Sequence, residues 1–112
     1  MDPKFLFTDA ESTPWQKSNV TGVEVKNLGT ANGHTMELYR FAPNTLYPDH
    51  VHEGPEFVYM LDGEAVQNGQ RLRAGWAGIA ETGTVEANFH SGDTGCVFLA
   101  VYSASRYIDA QS

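Results

Sequence analysis

The pattern that most constrains this chain is a two-residue alternation of apolar and polar side chains, repeated in short runs and cut by turn residues. "GVEVKNL" sets Val23 and Val25 against Glu24 and Lys26, and "TMELYRF" sets Met36 and Leu38 against Glu37 and Tyr39. "EFVYML", "GQRLRAG", "TVEANFH" and "CVFLAVYS" read as further short strands. A period of two is what a strand with one face on a core requires, because successive side chains project to opposite faces. Between the runs stand "GTANG", "APNTLYPD", "LDGE", "QNGQ", "ETGT" and "SGDTG", rich in the residues that turns select. Asn68-Gly69 suits a two-residue type I′ hairpin, whose central positions both need positive φ. No stretch carries the period of a long amphipathic helix. Seven or eight short strands with regularly spaced turns predict an all-β, antiparallel sandwich or small barrel, with no helix longer than about two turns.

Length and charge narrow the functional classes. A chain of 112 residues has room for one core, so a single domain over 1–112 is expected, with its core in about 20–104. Net charge is −7, and the seven Lys and Arg residues are scattered rather than gathered into a stripe, which argues against nucleic-acid binding. No apolar run of about 18 residues is present, and "MDPKFLFTDAES" lacks the apolar region of a signal peptide. The expectation is a protein of the cytoplasm that spans no membrane. Cys96 is the sole cysteine, so no intramolecular disulfide or cysteine-based zinc motif is available.

The densest chemistry lies in "PDHVHEGPEFVYMLDG", residues 48–63. On a strand His50 and His52 project to one face. Glu56 has the same parity, yet a straight strand would carry it about 13 Å beyond His52, whereas imidazole and carboxylate bonds to a metal are only about 2 Å long. The chain must bend for the three to share an ion. Glu53-Gly54-Pro55 supplies the hinge, because Gly54 tolerates unusual dihedrals and Pro55 has no ladder donor. Val58 and Met60 share the face of Glu56 and predict an apolar wall beside a polar cluster, as in a small-molecule site. A sulfur-free His/carboxylate set suits Fe(II), Mn, Ni, Zn or Cu.

The same stretch resembles the first motif of the cupin superfamily, His-x-His-x3-Glu-x6-Gly, at His50, His52, Glu56 and Gly63. The family's second motif is matched in "GWAGIAETGTVEANFH" at Gly75 and Gly83, with Glu81 at the proline position, Glu86 at the third histidine and His90 at the asparagine. Over residues 13–103, "TPWQ", "GVEVKNL", "YRFAPNT" and "GDTGCVFL" are similar to small cupins related to the ChrR-type anti-sigma sensor domain and to acetylacetone-cleaving dioxygenases. The resemblance implies an antiparallel double-stranded β-helix, the jelly-roll cupin barrel, and a homodimer. It implies a divalent transition metal (Fe(II), Mn, Ni or Zn) held by His50, His52, Glu56 and Glu86. Two carboxylates would neutralise such an ion and weaken it as a Lewis acid. The alternative ligand is His90, which shares the parity of Glu86 but lies about 13 Å away on a straight strand. A further alternative buries Val85, Ala87 and Phe89 and leaves Glu86 and His90 in solvent.

Two functional classes stay open. One is a metal-dependent oxygenase-type enzyme acting on a small oxygen-rich or diketone-like substrate, with His90 or a tyrosine (Tyr39, Tyr47 or Tyr59) handling protons. Metal-dependent isomerase or lyase chemistry is compatible with the same site. The other class is a non-enzymatic module that senses a metal or ligand. Trp15 and Trp76 read as packing residues, Cys96 as a small buried hydrophobe, and Asp49 and Glu53 as a solvated edge. "KFLFTD" is expected to pair with a sheet edge, in its own chain or a second subunit's.

Overall fold

The computed structural model describes residues 2–103 and, as backbone, 107–109. The described residues contain strands and turns and no helix. Strands β1 (Gln16–Lys17), β2 (Val23–Ala31), β3 (His34–Phe41), β5 (Glu56–Gln67), β6 (Gln70–Arg73), β7 (Ala77–Ala80) and β9 (His90–Ser103) form one sheet, and β4 (His50–His52), β8 (Val85–Glu86) and β10 (Tyr107–Asp109) form a second. The large sheet runs β1-β2-β3-β9-β5-β6, with β7 also paired to β5. The small sheet runs β10-β4-β8, and every pairing is antiparallel. This is the expected all-β jelly-roll architecture.

Two hairpins follow directly from Asn-Gly pairs. Asn32 and Gly33 (φ 50° and 79°) join β2 to β3, and Asn68 and Gly69 (φ 51° and 76°) join β5 to β6. Other glycines that read as turn signals lie inside strands instead. "LDGE" falls within the twelve residues of β5, and "SGDTG" within the fourteen of β9. There Gly63 (φ 72°) pairs with Cys96 across a bulged ladder, and a Cβ on Gly63 would run into the carbonyl of Gly95. These glycines permit close backbone approach and a bend rather than a chain reversal.

The bulges also switch which residues face inward. Before them Met60 is fully buried, and after them Ala65 is. Parity therefore changes from even to odd along one strand. The core between the sheets is aromatic: Phe98 stacks on Tyr39 at 5.2 Å, and Phe41 meets Phe89 edge-on at 5.5 Å. The ring series continues through Phe41–Tyr47 and Tyr47–His50 (5.8 and 5.5 Å), joining the core to the small sheet.

"TVEANFH" departs most from its expected form. It is not one strand. Asn88 adopts φ 59°, so β8 ends at Glu86 and the chain re-enters the large sheet at His90. The backbone N–H of Asn88 donates to Asp49 Oδ1 (3.2 Å), which gives Asp49 a structural bond at its exposed edge. Among the described residues "KFLFTD" pairs with no strand, and Phe5 and Phe7 stack on each other at 4.8 Å while exposed. No described helix is long and apolar enough to cross a membrane.

Candidate metal centre

The candidate centre lies where the two sheets meet. In the short strand β4 the alternation of "HVH" turns both histidines inward, and His52 is only 1% exposed and His50 only 5%. Glu86 enters from β8, directly across the antiparallel ladder from His50. Glu56 enters from the large sheet as the first residue of β5. Residues 53–55 carry the chain from one sheet to the other, as the hinge reading expected. The reason for Gly54 is different, however. Its φ is not left-handed; a Cβ there would meet the Ser103 hydroxyl, so a larger residue would force that side chain to shift.

One donor atom from each of His50, His52, Glu56 and Glu86 lies within 4.8 Å of the other three. His50 Nε2 is 3.4 Å from Glu86 Oε2, His52 Nε2 is 3.6 Å from Glu86 Oε1, and His52 Nδ1 is 3.5 Å from Glu56 Oε1. Charge-assisted N–H···O bonds are shorter, about 2.7–2.9 Å. Two ligands each about 2.1 Å from one ion stand roughly 3.0–3.4 Å apart along a tetrahedral or octahedral edge. The separations of Glu86 from Nε2 of His50 and of His52 come closer to that spacing than to direct ion pairing, whereas the 3.5 Å contact of Glu56 is with the other nitrogen of His52; one ion can take only one nitrogen of that ring. His50 Nδ1–H donates to Pro48 O (3.0 Å), and this bond leaves the Nε2 lone pair aimed at the cluster. Two neutral imidazoles and two carboxylates balance the charge of a divalent cation. The donor set can hold a metal of the Fe(II), Mn, Ni or Zn type.

The structure brings Glu86 to the cluster and leaves His90 outside it. His90 opens β9, pairs with Val66 and bridges to Leu46, and its Nδ1–H donates to Asn88 O at 2.9 Å. It borders neither cavity beside the donors. The shared-strand premise behind the Glu86/His90 alternative fails, because left-handed Asn88 lies between them. Phe89 is buried as the third alternative required, but Val85 is exposed and Glu86 is turned inward.

Cavities flank the donors on both sides. One, of about 40 Å³, is lined by His50, Glu56 and Glu86 with Tyr39, Tyr47 and Phe98 among its aromatic walls. At about 10–15 Å³ per water it admits about three or four water-sized groups. The other, of about 240 Å³, is lined by His52, Glu56 and Glu86 together with Gln67, Gln70 and apolar side chains such as Val58 and Leu72. Tyr39 and Tyr47 thus face the site, whereas Tyr59 lies on the outer face of the sheet. The Tyr39 hydroxyl is committed to Glu37 Oε1 (2.8 Å), which also accepts from Tyr102 (2.6 Å). Val58 lines both cavities, as its shared face with Glu56 predicts. Gln67 escaped the sequence reading because the bulges reverse parity before it. Trp15 packs beneath Arg40 and Lys26, 4.4 and 4.9 Å from its ring, and Trp76 is half exposed. Burial pushes the Cys96 thiol up from 9.0 to about 12, with the Asp62 charge adding to this and a hydrogen bond with the Phe41 backbone opposing it. Cys96 is therefore a poor nucleophile at neutral pH.

The family model of the ChrR cupin-like domain matches residues 4–105. This chain is a ChrR-like cupin. No curated protein matches its sequence. Among solved structures, the cupin superposes on a putative acetylacetone dioxygenase from Methylibium petroleiphilum PM1 with a TM-score of 0.86 at 13% identity, covering 99% of this chain and 85% of that one. The polyketide cyclase RemF from Streptomyces resistomycificus gives 0.81 at 18% identity, with 96% and 86% covered. Anti-sigma ChrR from Rhodobacter sphaeroides, solved with SigE, gives 0.73 at 25% identity; 83% of this chain is covered, but only 51% of that one. The cupin thus spans about half the length of that chain.

Proposed function

We propose that this cupin is a metal-dependent enzyme of the oxygenase type, acting on a small diketone-like substrate, with His50, His52, Glu56 and Glu86 as the metal ligands. The observation that carries the reading is the convergence of these four side chains from both sheets, with cavity space on either side. A bound divalent ion would supply Lewis acidity and open positions for oxygen-bearing ligands. The chain's own contribution is orientation and exclusion of water. His50 is held by Pro48, and Tyr39, Tyr47, Phe89 and Phe98 wall the small cavity with aromatic surface. His90 is assigned a positioning role, through its bond to Asn88 at the corner that delivers Glu86. The test is metal analysis after reconstitution with Fe(II), Mn, Ni or Zn, followed by oxygen uptake with acetylacetone. Bound metal with uptake supports the reading, and an absence of bound metal from every reconstitution overturns it.

The family match favours one other reading, a metal- or ligand-sensing module, since the ChrR structure is that of an anti-sigma protein in complex with SigE. Stoichiometric metal binding without turnover of any oxygen-bearing substrate would select it.

A homodimer in the cytoplasm completes the proposal. The outer face of the large sheet carries two cross-strand rows, Met36–Val101–Phe57–Ile79 and Leu38–Leu99–Tyr59–Ala77. Phe57 and Tyr59 are about half exposed and Ile79 is 67% exposed. No charge interrupts either row in a chain of net charge −7, so two copies can meet there without repulsion. Sedimentation at micromolar concentration should give a dimer that Tyr59→Lys converts to monomer. A monomeric wild type would remove this part of the proposal.

A further inference from the structure

We propose that Asp49 is a positioning residue of the metal centre, tying down the corner that follows Glu86 so that the Glu86 carboxylate stays against His50 and His52. The inference rests on the four-donor reading and adds what keeps the fourth donor in place. Glu86 needs such support. Its strand, β8, is only two residues long, and among the described strands it pairs with β4 alone. Two residues further on, Asn88 turns left-handed (φ 59°) and the chain departs for the large sheet.

The segment just before His50 braces this corner. Tyr47 N–H donates to Phe89 O at 2.9 Å, and Asp49 Oδ1 accepts from Asn88 N–H at 3.2 Å. Between them in sequence, Pro48 O accepts from the His50 ring at 3.0 Å. Residues 47–49 therefore orient the His50 imidazole and hold the Glu86 corner at once. In these bonds Tyr47 and Pro48 use backbone atoms, whereas Asp49 uses its side chain. A weaker tie comes from the large sheet, where Gln67 Nε2 donates to Ala87 O at 3.3 Å.

Holding the corner matters because Glu56 and Glu86 bring two carboxylates into one cluster, with donor atoms of all four residues within 4.8 Å of one another. Like charges at such range favour separation. A corner free to swing would let Glu86 turn outward to water, and an arriving ion would have to draw it back at a cost in affinity. A corner already tied removes that cost, which is the usual gain of preorganisation. Groups that only orient a metal ligand are typically worth 10–100-fold in affinity. Asp49 itself lies on an exposed edge, where salt screens the pull of its own charge on the ion. Its contribution is the hydrogen bond.

The test is equilibrium dialysis of Mn(II) against the full chain as wild type, Asp49→Ala, Asp49→Asn, Glu86→Gln and Asp49→Ala/Glu86→Gln, with the metal-free melting temperature of each recorded. Asp49→Ala should bind Mn(II) about tenfold more weakly than wild type. Asp49→Asn keeps an oxygen acceptor for the Asn88 N–H but not the charge, and should return affinity to within about threefold of wild type. In the Glu86→Gln background the alanine change should alter affinity by less than about twofold, because the carboxylate it positions is gone. A merely structural weakening would instead lower the metal-free melting temperature and act equally in both backgrounds. Unchanged affinity in Asp49→Ala, an equal loss in Asp49→Asn, or the full loss repeated in the Glu86→Gln background would overturn the inference. A wild type that takes up no Mn(II) would overturn the four-donor reading itself, and the role of Asp49 with it.

Discussion

Glu86 lies directly opposite His50 in the β4–β8 ladder, with Oε2 3.4 Å from Nε2. The other oxygen of the same carboxylate is 3.6 Å from Nε2 of His52. One side chain therefore spans both imidazoles. The loss of Glu86, like that of His52, should therefore be felt by two other members of the cluster.

Glu86→Gln should lower metal affinity by more than about 100-fold, since even residues that only orient a ligand cost 10–100-fold when changed. His90→Gln should leave metal affinity within about threefold of wild type, because its imidazole borders neither donor cavity. Equilibrium dialysis with Mn(II) distinguishes the two. Equal loss in both variants would mean that the 87–89 corner moves to admit His90.

Gly54→Ala should destabilise the fold by about 1–3 kcal/mol, the usual cost of forcing a methyl group into a packed position. The added Cβ meets Ser103 Oγ. Ser103→Ala removes that oxygen, so the double variant should be more stable than the sum of the single changes predicts. Thermal unfolding of the four proteins measures the coupling, and strict additivity would show that the collision is relieved in another way.

Stability should also fall in alkali through Cys96. The folded thiol titrates at about 12 and the unfolded one near 9.0, so as pH rises between these values the unfolded chain loses its proton first. Unfolding then releases a proton, and stability decreases with rising pH over that window. Below about pH 9 the thiol adds no pH dependence. Denaturant titrations from pH 8 to 11 on wild type and Cys96→Ala should diverge only at the alkaline end; parallel curves would contradict the buried-thiol account.

Removing the aromatic centre should be expensive. Phe98 contacts Tyr39, Phe41 and Phe89, and Phe98→Ala should cost about 3–5 kcal/mol, measured as a shift in the denaturant midpoint. A cost below about 1 kcal/mol would mean that the surrounding rings collapse into the space.

What could be read from the residues differs by kind of signal. Strand alternation and Asn-Gly pairs act over two to four residues, and β2, β3, β6 and their hairpins follow from them. The His50, His52 and Glu56 placement was legible because metal distances rule out a straight chain. Gly63 and Gly95 misled, since the glycine that makes a turn is identical in sequence to the glycine that lets two backbones touch inside β5 and β9. Gln67 was invisible because the bulges reverse the inward parity beyond Met60. The break between Glu86 and His90 depends on one left-handed residue, Asn88, whose local sequence carries no glycine or proline to announce it.

Metal stoichiometry is the most direct measurement of the central claim. Protein reconstituted with Mn(II) and freed of loosely held ion should carry one ion per chain by mass spectrometric metal analysis. His50→Ala/His52→Ala, confirmed as folded by circular dichroism, should carry none. A folded double variant that retains a full equivalent would place the ion elsewhere and contradict the account.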